Sequence, residues 1–88
     1  MPYLVLLHPR ANMFLEKMDR HLRKRIEQKL KLLASDPEVG VSLKYSNFWK
    51  LRIGDHRAIY EIDPEAGRVV ILFIGNRKDV YDDFSRLL

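Results

Sequence analysis

Two runs of alternating polar and apolar residues meet at Gly54-Asp55 in the stretch FWKLRIGDHRAIYEID, residues 48–63, and no other feature constrains the fold so tightly. A Gly-Asp pair between alternating runs favours a two-residue hairpin turn, because the turn needs positive φ angles. The register then follows: Ile53 faces His56, Arg52 faces Arg57, Leu51 faces Ala58, Lys50 faces Ile59 and Trp49 faces Tyr60. Side chains alternate across a strand, so Trp49, Leu51, Ile53, Ala58, Tyr60 and Ile62 form an apolar face suited to a core. Lys50, Arg52 and Arg57 share the other face. Like charges directly opposite on a sheet destabilise it by roughly a few tenths of a kcal/mol up to about 1, so this hairpin needs a reason for setting Arg against Arg. One reading is an anion between them, since Arg forks onto phosphate oxygens while Lys acts as a point charge. The other is a solvated polar face that Glu61 partly neutralises.

The remaining chain sets the scale. Its 88 residues allow one domain, residues 1–88, with a single modest core. A net charge of +4 favours polyanionic partners such as nucleic acid, or an acidic protein. There is no cysteine, which excludes disulfides and thiolate metal sites and fits a reducing cytosol. The apolar runs LVLL and VVILFI are too short to span a bilayer and no secretory signal pattern opens the chain, so a cytoplasmic protein without a membrane partner is expected. His8 and His21 have no ligand-like neighbours in spacing, and neither a metal nor a cofactor is called for.

Along the chain, YLVLL (residues 3–7) reads as a first strand ended by His8-Pro9. Leu15, Met18, Leu22, Ile26, Leu30 and Leu33 then recur at steps of three or four, one apolar helical stripe that Asp19 divides as a cap and Asp36-Pro37 ends. Residues 37–47 read as a loop. After the hairpin, the Asp63-Pro64-Glu65-Ala66-Gly67 turn leads into RVVILFIG, an unbroken apolar run typical of a central strand covered on both faces. Its register stays open at this level. A one-residue bulge at Gly67 aligns Arg57 with Gly75 and brings Arg77 to the cationic side, whereas without it Arg77 points away. Val80, Phe84, Leu87 and Leu88 have helical spacing. The expected fold is α+β in the order βααβββα: a mostly antiparallel, twisted four-stranded sheet, two N-terminal helices packed on one face, and a short C-terminal helix.

With RIGDHRAIYEI followed after a short gap by GNRKDVY, the chain resembles the RelE/ParE superfamily of bacterial and archaeal toxins, and within it the RelE branch, over nearly its whole length. The resemblance implies a toxin of a type II toxin–antitoxin module, a ribosome-dependent endoribonuclease that cuts mRNA in the decoding site. It also implies a RelB-like antitoxin partner, in a heterodimer or heterotetramer. By motif position, the implied catalytic set is Lys50, Arg52, Arg57, Arg77 and Tyr81, with Lys78 joining the four cations in RNA binding. Arg52 stands where the family pattern has lysine, and the interval from Arg77 to Tyr81 is shorter than in some members. Within that implied chemistry Lys50 is the candidate base, because arginine cannot deprotonate usefully and Lys50 is the lysine of the implied catalytic set. His56 is its rival, although alternation puts it on the apolar side. Two other readings accompany the nuclease: a ParE-like protein that binds DNA gyrase and catalyses nothing, and an inactive member that retains only antitoxin binding.

Overall fold

The computed structural model describes residues 2–44, 46–76 and 84. The expected C-terminal helix falls outside the described residues except for Phe84, which is helical and buried. Strand β1 (Leu4–Leu7) leads into helix α1 (Pro9–Glu16) and helix α2 (Arg20–Lys31). Two single 3₁₀ turns, Leu32–Ala34 and Pro37–Val39, connect these to β2 (Val41–Ser42), β3 (Phe48–Ile53), β4 (His56–Asp63) and β5 (Arg68–Asn76). No helix among the described residues is long and apolar enough to cross a membrane.

The helices begin where local chemistry starts them. Proline occupies the first turn of α1, where a missing N–H costs nothing. The Asp19 carboxylate caps α2 by accepting the Leu22 N–H at 3.1 Å, so the division of the helical region at Asp19 is present. Leu15, Ile26, Leu30 and Leu33 are fully or nearly fully buried, with Met18 and Leu22 packed against them. The α-helix itself stops at Lys31, several residues before Asp36-Pro37, and Pro37 instead opens the second 3₁₀ turn.

The sheet has the order β1-β5-β4-β3-β2. It thus has five strands where the sequence implied four. The added strand, β2, is two residues within the expected loop, pairing Val41 with Lys50 and Ser42 with Trp49; so short a segment has no periodicity to read. β1 runs parallel to β5, and the other pairings are antiparallel. The hairpin register is the expected one, from Ile53 opposite His56 to Trp49 opposite Tyr60, and Gly54 turns it with a φ of 59°.

The open register of β5 resolves with Arg57 opposite Gly75, but the extra residue is not at Gly67. Ile59 faces Phe73 while Tyr60 faces Ile71, so the bulge is at Leu72. Packing explains that position. The bulge lets Ile71 and Ile74, three residues apart, both bury against the helices, and sends Leu72 and Phe73 to the opposite face. There they join Ile59, Phe48, Leu43 and Phe84 in a second, smaller core. The face opposite the helices is therefore apolar at one end and cationic only near the Gly54 turn.

Candidate nucleic-acid interface

Strands β3 and β4 carry Lys50, Arg52 and Arg57 on the face away from the helices, with Arg52 directly opposite Arg57. Lys50 and Arg57 are half-buried and Arg52 is exposed. A hollow of about 390 Å³ is lined by these three cations, Lys29 of α2, Leu51 and the segment Val39–Val41. No acidic side chain lines it, and none of the four cations takes part in an ion pair among the described residues. Glu61 does not neutralise the set: it faces Phe48 and Val70 and lines a separate hollow with Asp63, Glu65 and Arg68.

Arg57 supplies the sharpest electrostatic signal. Its Nη1 is buried and has no hydrogen-bond partner among the described residues. A buried donor left unmatched costs about 1–3 kcal/mol, more when charged. An anion between the Arg57 and Arg52 guanidiniums, which face each other across the hairpin, would relieve their repulsion.

Tyr60, which sequence reasoning placed only in the core, braces one wall of this hollow from beneath through Gly40. Its ring is fully buried and stacks on Trp49 at 6.3 Å. Its hydroxyl donates to the Pro37 carbonyl at 2.7 Å and accepts the Gly40 N–H at 3.2 Å. Burial pushes the phenol pKa above its usual 10.0, with smaller pushes from the nearby Asp36 and Glu38 charges, while the Gly40 hydrogen bond pulls it down. A Cβ on Gly40 would lie 2.5 Å from the Lys50 carbonyl oxygen and 2.6 Å from the Tyr60 hydroxyl. Only glycine lets the chain pass so close, and that passage sets Val39–Val41 beside the cations. The lone signal in the sequence was a glycine within a presumed loop.

His56 sits on the other face, opposite Ile53 and Asn76, with its ring edge-on to Phe14 at 6.2 Å. It is thus separated from Lys50 by the sheet. Trp49 packs against the main core, as its parity implied. Arg77, Lys78 and Tyr81, the remaining residues implied by motif position, lie outside the described residues.

Solved toxin structures share this architecture. The chain is similar to RelE in the RelBE2 toxin–antitoxin complex of Mycobacterium tuberculosis, at 29% identity over 90% of this chain and 95% of that one, with a TM-score of 0.79. Free Escherichia coli RelE, as a double variant, superposes with a TM-score of 0.78 at 23% identity over the whole of both chains. The RelE–RelB complex of Pyrococcus horikoshii gives 0.76 at 22% identity, over 89% of this chain and 98% of that one. No curated protein sequence matches. The family model for the ParE toxin of type II toxin–antitoxin systems matches residues 5–81, from β1 through the hairpin and β5 to Tyr81. The chain therefore belongs to the ParE toxin family of type II toxin–antitoxin systems and has the backbone fold of RelE toxins.

Proposed function

We propose that this toxin is a ribosome-dependent endoribonuclease that cleaves mRNA in the decoding site and so stops translation in the cytoplasm. The carrying observation is the carboxylate-free cation set Lys50, Arg52 and Arg57, with an unmatched buried guanidinium N–H. In the reaction the ribose 2′-oxygen attacks the adjacent phosphorus. A 2′-O–P bond forms, the P–O5′ bond breaks, and the products are a 2′,3′-cyclic phosphate and a 5′-hydroxyl. Lys50 accepts the 2′-hydroxyl proton, and the departing 5′-oxygen takes a proton from water to leave as the 5′-hydroxyl. Arg52 holds the phosphate by paired hydrogen bonds, and Arg57 and Arg77 stabilise charge as it grows on the phosphoryl oxygens. Tyr81 stacks on a splayed base and Lys78 contacts the strand. No strong acid–base pair accompanies the cations, so catalysis leans on substrate alignment, the contribution that a ribosome-held mRNA supplies.

The partner that restrains this activity is a RelB-like antitoxin, supported by the complexes in which the similar folds occur. Its chain would cover the exposed apolar side chains Leu4, Met13, Val39 and Val41 in a heterodimer or heterotetramer. A second reading, non-catalytic binding of DNA gyrase, draws on the ParE family match. The cations weigh against it, because a binding protein needs no phosphate-charge stabilisers.

Cleavage of mRNA on a reconstituted translating ribosome tests the proposal, comparing the wild type with Arg57→Ala and Arg77→Ala. Cuts within the decoding site, lost in both variants while each remains folded, are expected. Absence of cleavage by the wild type would overturn the reading, and inhibition of gyrase supercoiling would then establish the second. Inactivity in both assays with retained antitoxin binding would mark an inactive family member.

A further inference from the structure

Helix α2 carries its cations on distinct sides. Ile26, Leu30 and the following Leu33 define the buried stripe. Arg23 lies on one flank and pairs with Glu27 at 3.7 Å. Arg20 and Lys24 point outward, as helical spacing requires. Arg25 and Lys29, one turn apart, occupy the other flank and line a second hollow of about 430 Å³ with Gln28, Leu32, Ile53, Gly54 and Arg52. This hollow adjoins the first, because Lys29 and Arg52 line both. Arg25, Lys29, Arg52, Arg57 and Lys50 thus line two adjoining hollows that lead from α2 to the far face of the sheet. No acidic residue lines either hollow, and neither Arg25 nor Lys29 is in an ion pair among the described residues. Five cations held together without a counter-charge repel one another, an arrangement that a chain of phosphates relieves and a single phosphate cannot.

We propose that the hollow between α2 and β3 is a track for the substrate RNA strand, in which Arg25 and Lys29 hold phosphates that flank the one cleaved. The track rests on the nuclease reading and extends it to residues that do no chemistry. Arg52 stands at the junction, shared by the reacting phosphate and its neighbour. Gln28 and the exposed Leu32 line the same hollow and offer an amide and an apolar contact to a base or sugar.

Phosphate contacts are counted by salt dependence: for single strands, log K against log salt falls by roughly 0.7 per neutralised phosphate. The experiment measures binding of a short single-stranded RNA oligonucleotide by fluorescence anisotropy across a salt series. Arg25→Ala/Lys29→Ala is expected to weaken binding several-fold at low salt and to flatten the slope by roughly 1.4, the value for two lost phosphates. The outward pair Arg20→Ala/Lys24→Ala should leave the slope in place, and the charge-keeping exchange Arg25→Lys/Lys29→Arg should retain most of the binding. An unchanged slope in the first variant overturns the track, as does an equal loss in the outward pair. So does wild-type protein that fails to bind the oligonucleotide at low salt. Unchanged RNA binding with weakened antitoxin binding would assign the hollow to an acidic protein segment instead. Cleavage on the ribosome is read separately, so failure of the track and failure of the nuclease reading are distinguishable.

Discussion

The hydroxyl of Tyr60 ties a buried ring to a surface turn through its bonds to Pro37 and Gly40. Tyr60→Phe keeps the ring but strands both backbone groups, and a loss of about 1–3 kcal/mol in urea denaturation is expected. Alkali supplies an independent check. Because burial raises its pKa, the folded chain holds the phenol proton more tightly than the unfolded chain does. The resulting stability is fully present below about pH 10 and is lost as pH rises past that value. Melting temperatures should therefore fall above pH 10 in the wild type with a component that Tyr60→Phe lacks. A second prediction at this scale separates the two candidate bases. Lys50→Ala should slow single-turnover cleavage by about 10²-fold or more, whereas His56→Gln, altered on the opposite face, should remain within a few-fold of wild type. The reverse order would move the base to His56. Alternation in the sequence was enough to part these residues, since β3 and β4 keep the register that the Gly54 turn sets. It did not reveal the role of the Tyr60 hydroxyl, whose partners lie 20 and 23 positions away.

Among the elements, β2 is the smallest and the one most dependent on its surroundings. Two residues pair with β3, and Gly40 leads into them through a passage with no space for a methyl group. Its φ of −79° is ordinary, so space rather than conformation demands glycine. Gly40→Ala is expected to cost about 1–3 kcal/mol by overpacking and to speed hydrogen exchange in the β2–β3 pairing while leaving β4 and β5 protected. If exchange instead rises uniformly, β2 is not a separable unit. The bulge in β5 is a second element-scale device. An apolar run such as VVILFI contains no marker of where two neighbours must turn to the same face, because every position is equally apolar. The competition between two cores for Ile71, Leu72, Phe73 and Ile74 decided it.

Across the whole molecule, the sheet is covered on both sides, by α1 and α2 on one and by Phe84 over the apolar end of the other. Phe84 meets Phe48 edge-on at 5.0 Å and Phe73 at 6.1 Å, bridging the first and last strands of the β3–β4–β5 unit. Phe84→Ala should cost about 3–5 kcal/mol with Phe84→Leu recovering most of it in urea denaturation; a loss below about 1 kcal/mol would make this second cluster dispensable. Several features of the protein were determined by its sequence alone: the α+β class, the helix start at Asp19, the hairpin register and the shared face of Lys50, Arg52 and Arg57. Each follows from interactions within a turn or between strands joined by one, where period and capping chemistry act over a few residues. Tertiary structure alone decided the fifth strand, the bulge at Leu72, the burial of Ile59 on the cationic face and the meeting of Lys29 with Arg52. Those depend on packing between segments far apart in the chain, where the shape of the space left by one element selects what the next can do.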